Sequence, residues 1–114
     1  MKAKHLGTQT FARPLELLHL DLMGPTRTES LGGKRYIMVV VDDFTRYIWV
    51  ILLRSKFDAL EHIKALYTRL QNEKSLKIDR IRSDHGKEFK NSYMVSFCTR
   101  LGISQEFSAP ITLQ

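Results

Sequence analysis

The apolar positions of this chain switch between two periods. From Leu15 to Met23 they alternate, with Leu18, Leu20 and Leu22 on one side and His19 and Asp21 on the other, the period-two pattern of a half-buried strand. Gly24-Pro25 ends that run. The turn-rich segment TRTESLGGKR (26–35), with glycines at 32 and 33 suited to a tight turn, leads to two β-branched runs, YIMVVVD (36–42) and YIWVILL (47–53). Their short link, around DDFTR, predicts an antiparallel hairpin and, with 15–23, a three-stranded meander. These runs are continuous rather than alternating, which predicts cover on both faces of the sheet. The spacing then becomes helical: Phe57, Leu60, Ile63, Leu66, Tyr67 and Leu70 predict an amphipathic helix over 56–73. Ser55 and Asp58 stand at capping-box spacing at its start. A short strand, KIDRIRSD (77–84), and a loop, DHGKEFKNS, follow. Met94, Phe97, Cys98 and Leu101 mark a second helix that Gly102 is placed to stop. Ile103 to Phe107 reads as a last strand.

Strands followed by a crossover helix and further strand–helix alternation predict a mixed five-stranded α/β sheet with helices on both faces. The 114 residues suffice for one domain, placed at 14–114, with 1–13 read as a linker or the remnant of something upstream. Apolar residues at 43% and charged residues at 26% are ordinary for a globular domain. No apolar run approaches the ~20 residues of a membrane span, and 1–13 has no signal-like apolar core, so an intracellular protein without a membrane partner is expected. A single cysteine excludes an intramolecular disulfide and a cysteine-rich zinc site; Cys98 lies in an apolar pattern and reads as a buried small hydrophobe. The net charge of +6 and a pI near 9.7 favour a polyanionic partner, although the basic residues are spread over the chain.

Aspartate is uncommon in mid-strand, yet Asp21 sits in the first strand. Asp84 ends the fourth, in SDHGKEF. If the crossover sets these strands side by side, the two carboxylates face each other. Like charges that close resist joint ionisation, and a hard divalent cation between them removes the conflict. Taken alone, the pattern also fits two solvated acids, with Asp84-His85-Gly86 as an Asx-turn.

The stretch LELLHLDLMGPTRTESLGGKRYIMVVVDDFTRYIWV resembles the start of the integrase catalytic core of copia-type long-terminal-repeat retrotransposons, especially plant copies. RIRSDHGKEF is similar to that family's second motif, and GISQEFSAPITLQ to the approach to its third. The resemblance runs from about Arg13 to Gln114. It implies a ribonuclease H-like fold with Asp21 and Asp84 as the first two of three acids that hold two Mg²⁺ or Mn²⁺ ions. It implies a polynucleotidyl transferase that processes 3′ ends of element DNA and joins them to target DNA, as a possible homo-oligomer and in the nucleus. The family's third acid, a glutamate on a helix, falls beyond Gln114, and Glu106 is too early to replace it. The reading is therefore of a core that is C-terminally truncated, its last helix missing, with activity as this fragment not expected. Leu113 stands where the family usually has proline, and His85 where many relatives have asparagine. The upstream His/Cys zinc module is absent, since His5 alone cannot form one.

Lys34, Arg35, Lys87 and Lys90 flank loops and are candidates for phosphate contact, as is His85; each is equally read as a solvated loop residue. Asp42 and Asp43 read as turn residues, with Asp43 able to approach the site. Glu88 reads as a surface or helix-start residue, Trp49 as core, and His19 as a neighbour of Asp21 rather than a ligand. Two other readings stay open: a non-catalytic nucleic-acid-binding module of the same fold, and a plain nuclease that cuts without joining.

Overall fold

The computed structural model describes residues 13–27 and 31–108. Its elements in chain order are β1 (Leu17–Met23), β2 (Tyr36–Asp42), β3 (Ile48–Leu53), α1 (Ala59–Lys74), β4 (Arg80–Ser83), α2 (Ser92–Leu101) and β5 (Ser104–Phe107). The strands lie in the order β3-β2-β1-β4-β5. The first three form the antiparallel meander; β4 joins β1, and β5 joins β4, in parallel. This is the mixed five-stranded sheet that the sequence predicts, with β1 at its centre.

The ends of the elements follow local chemistry. Ser55 accepts the Phe57 N–H while the Asp58 carboxylate accepts the Ser55 N–H, a complete capping box. The first turn it starts, Lys56–Asp58, is 3₁₀, and the α-helix proper begins at Ala59. Asn91 caps α2 by accepting the Met94 N–H at 2.9 Å, and Gly102, at φ 73°, closes it. Gly24 ends β1 at φ 132°, where a Cβ would fall 2.7 Å from the Arg35 carbonyl oxygen, so no side chain fits.

Two strands are shorter than the periodicity predicts. Leu15 is buried but at φ 67°, so β1 starts at Leu17. The 77–84 run becomes a strand only at Arg80. Before it, Arg13 holds the Lys77 carbonyl and the Asp79 carboxylate, and the first ladder pair with β1 is Leu17–Arg80.

Strand alternation divides the sheet into two unlike faces. Leu18, Leu20, Met38, Val40, Leu53 and Ile81 share one buried core with Ile63, Leu66 and Leu70 of α1 and Met94, Phe97 and Cys98 of α2. Tyr67 and Phe97 meet edge to face, 5.9 Å between centroids, where the helices touch. Burial pushes the Cys98 thiol up to about 11, as expected of a packed, inert cysteine. The other face carries His19, Asp21, Met23, Ile37, Val39, Val41, Ile48, Val50 and Leu52, none of which belongs to that core. Val50 is 62% exposed there. The sequence predicts helices on both faces; both described helices close the same one. Periodicity tells that a helix is amphipathic, not which side of a sheet it crosses.

Candidate metal centre at the ends of the central strands

The parallel register pairs Leu17 with Arg80, Leu18 with Ile81 and His19 with Arg82. Two residues further on come Asp21, still within β1, and Asp84, just past the end of β4. Neighbouring strands run about 4.8 Å apart, so the register carries the chain toward both acids at the same end of the sheet. Alternation puts Asp21 on the face of His19, away from the helix-covered core. Both are exposed. Asp84 Oδ1 accepts the Gly86 N–H at 2.9 Å, which is the Asx-turn, and the carboxylate keeps its second oxygen for other partners.

The arrangement fits a hard cation on chemical grounds. Mg²⁺ is commonly held by one or two carboxylates together with waters and substrate phosphates. Two water-accessible carboxylates on neighbouring strands offer such donors. Among the described residues no group of three or more His, Cys, Asp or Glu side chains is placed to hold a metal ion.

A charged strip crosses the open face one step from Asp21. His19 Nε2 lies 2.8 Å from Asp43 Oδ1, and Arg46 approaches the same oxygen at 3.6 Å. The Asp43 N–H also donates to the Leu17 carbonyl, so Asp43 ties the β2–β3 turn to β1 rather than serving only the turn. On the other side, Glu106 accepts from Arg82 at 2.7 and 3.0 Å and from Arg80. The Arg82 hydrogen bonds, more than those of Arg80, hold the Glu106 carboxyl below the usual glutamate range. Setting Glu106 aside as a third acid agrees with this: its oxygens are committed to arginines. A lowered carboxyl contributes stability above its ordinary range and loses it as pH falls through the folded value. Glu106→Gln is therefore expected to cost about 1 kcal/mol or less near neutrality, because the group is partly exposed. Melting curves should converge with wild type once the pH falls below the lowered folded value, where the wild-type carboxyl is protonated too.

The loop candidates divide. The Arg35 guanidinium donates twice to the Thr26 carbonyl, so it braces the turn after β1. Lys34 lies just before β2, and Lys87 is exposed in the loop between β4 and α2. Glu88 lays its carboxylate against Gly86, where a Cβ would clash with it. His85 stacks on Phe107 and meets Lys90. Phe107 and the Arg80–Glu106–Arg82 cluster escaped the sequence reading, since only strand order brings β4 and β5 together. A groove of about 810 Å³ lies beside Asp42, Tyr47 and Trp49, and neither Asp21 nor Asp84 lines it.

A central strand with an antiparallel meander on one side and two parallel strands on the other, one acid within β1 and another just past β4, defines a ribonuclease H-like domain. The integrase core domain family model matches residues 12–112, and the chain belongs to that family. It is 32% identical over 100 residues to the retrovirus-related Pol polyprotein of tobacco (Nicotiana tabacum) transposon TNT 1-94, covering 88% of this chain and 8% of that protein. It is 30% identical over 106 residues to the corresponding polyprotein of Arabidopsis thaliana transposon RE2, covering 93% and 7%. The chain thus spans less than a tenth of these polyproteins. Among solved structures, the HTLV-2 integrase catalytic core domain in complex with magnesium (trimeric form) superimposes with a TM-score of 0.63 at 22% identity, over 83% of this chain and 60% of that one. The likeness to plant copia-type integrase cores, and the fold it implies, are borne out. Among the described residues no helix is long and apolar enough to cross a membrane.

Proposed function

We propose that this domain is the catalytic core of a retrotransposon integrase, a divalent-metal-dependent polynucleotidyl transferase that processes the 3′ ends of element DNA and joins them to target DNA. The parallel β1–β4 register, whose last pair His19–Arg82 lies two residues before Asp21 and Asp84, is the observation that supports this most. In this reading the two carboxylates hold Mg²⁺ or Mn²⁺ by hard oxygen donors, with two ions in the working site. The bound metal supplies Lewis-acid stabilisation of charge on the reacting phosphate. The chain's own part is positional. A packed central strand fixes Asp21 more rigidly than a loop would. The Gly86 N–H orients Asp84, and the His19–Asp43 pair anchors the neighbouring turn. Lys34, Lys87 and Lys90 with the net charge of +6 draw DNA to this end of the sheet. Arg35 supports the reading indirectly, by bracing the loop that carries Lys34. Action in the nucleus and as an oligomer belongs to the same reading, as it does for a core that must bring DNA ends to a target.

The sign of the metal effect on DNA binding tests it. A metal held by Asp21 and Asp84 also engages phosphate, so Mn²⁺ at constant ionic strength should tighten binding of a DNA end severalfold. Asp21→Asn should remove that gain. A non-catalytic binding module of the same fold predicts the reverse: Mn²⁺ competes for phosphates and weakens binding in both proteins. Fluorescence anisotropy with a labelled duplex measures the difference. Weakening in the wild type overturns the proposal.

A further inference from the structure

We infer that His85, backed by Phe107 and Lys90, is a stacking platform for an unpaired nucleobase of the DNA strand at this site. His85 directly follows Asp84 and is exposed. Its ring stacks on Phe107 with centroids 5.3 Å apart and planes 29° from parallel. Phe107 is not a loose partner. It pairs with Ser83 in the β4–β5 ladder, and the next residue, Ser108, donates its N–H to the Ser83 carbonyl at 2.7 Å. The phenyl ring is thereby fixed one residue from Asp84.

Lys90 completes the arrangement. Its Nζ lies 3.3 Å from His85 Nδ1 and 5.4 Å from the centre of the Phe107 ring. Lys90 thus closes the Nδ1 edge of the imidazole and also stands over the phenyl ring behind it. An exposed flat ring with one face on a phenyl group is the surface on which unstacked bases settle. Its orientation is set before any ligand arrives, which lowers the ordering cost of binding. Lys90 places a cation at the ring's edge, within reach of the phosphate that adjoins a stacked base. Only a base with an open face can use a lone ring; bases inside a duplex have both faces covered. The ligand class is therefore an unpaired base, at a frayed or overhanging end.

This inference rests on the domain acting on DNA but not on the metal, so its test is run in EDTA. The 114-residue chain is mixed with a duplex bearing a short 3′ overhang, with 2-aminopurine at each overhang position in turn. Quenching of 2-aminopurine at one position is expected. His85→Ala should abolish the quench and weaken binding of the overhang duplex about tenfold, in the range of base–aromatic stacking, while scarcely changing binding of a blunt duplex. His85→Tyr should restore both. Lys90→Gln should lower the salt dependence by about one phosphate contact and leave the quench in place. The exposed position of His85 predicts unchanged melting curves for its variants. The inference is overturned if the wild-type chain quenches at no overhang position, if His85→Ala still quenches, or if His85→Ala weakens blunt and overhang duplexes alike. A quench that persists in a chain whose DNA binding does not respond to Mn²⁺ retains the platform and removes the metal site; the opposite pair of results does the reverse.

Discussion

Mn²⁺ or Mg²⁺ is expected to raise the melting temperature of the wild-type chain, and Asp84→Asn is expected to abolish that rise without lowering the melting temperature in EDTA. The first half follows from linkage: an ion at ten times its dissociation constant stabilises the folded state by about 1.4 kcal/mol. In a domain this small that is a shift of roughly 5–10 °C. The second half follows from the geometry of the pair. The β1–β4 register leads toward Asp21 and Asp84 at the same end of the sheet, and two anions brought close there repel when no cation lies between them. Asparagine removes one charge and keeps an oxygen that can accept the Gly86 N–H. The metal-free variant should melt at or slightly above wild type. Asp21→Asn should behave the same way, and the double variant should show no ion response and no further loss. This combination separates a ligand from a structural residue, since loss of a structural hydrogen bond lowers stability with or without metal. An ion-dependent shift that survives in both single variants places the metal elsewhere and removes Asp21 and Asp84 from the site.

Much of this arrangement is legible from residue order because it is local. The hairpin over 36–53, the capping box at Ser55, and the buried stripe Ile63, Leu66, Leu70 all follow from period and cap chemistry, and each is found where the pattern puts it. Trp49, read as core, packs against the helix-covered core from mid-strand. What the pattern cannot carry is contact between segments far apart in the chain. Nothing near Arg80 or Arg82 announces Glu106 as their partner, and nothing near His85 announces Phe107; both meetings need β5 to settle beside β4. The left-handed backbone at Leu15 is similarly hidden. Leucine has no preference for positive φ, and the conformation is held by a group 27 residues away. The faces of the sheet are a third case. Both helices are amphipathic, but only the crossover path decides that they share one side.

That distant group is Asp42, and its replacement by alanine is expected to be the most destabilising single change among the acids, about 3 kcal/mol. The residue is 1% exposed at the end of β2. Its Oδ1 accepts the Leu15 N–H at 3.1 Å and the Phe44 N–H at 3.4 Å, and its Oδ2 accepts the Thr45 hydroxyl at 2.7 Å. The turn role that DDFTR implies is present in the last two bonds. The first does something more: it fastens the chain before β1 to the far end of β2, and Leu15, itself buried, is held there at φ 67°. Truncation leaves a buried N–H with no acceptor, which costs about 1–3 kcal/mol, and releases the turn as well. Asp42→Asn keeps one oxygen for Leu15 and should lose less than half as much. Asp43→Ala, one residue on, supplies the contrast. Its carboxylate bonds His19 and Arg46 nearer to solvent, and its removal should cost about 1 kcal/mol or less. Urea denaturation of the three variants checks the order. Equal losses for Asp42→Ala and Asp42→Asn would show that the charge, not the acceptor, holds Leu15. Losses at Asp42 no larger than at Asp43 would show that burial does not set the scale here. Because Asp42 lies level with Leu18, three residues before Asp21, neither Asp42 change should alter ion binding by the chains that remain folded.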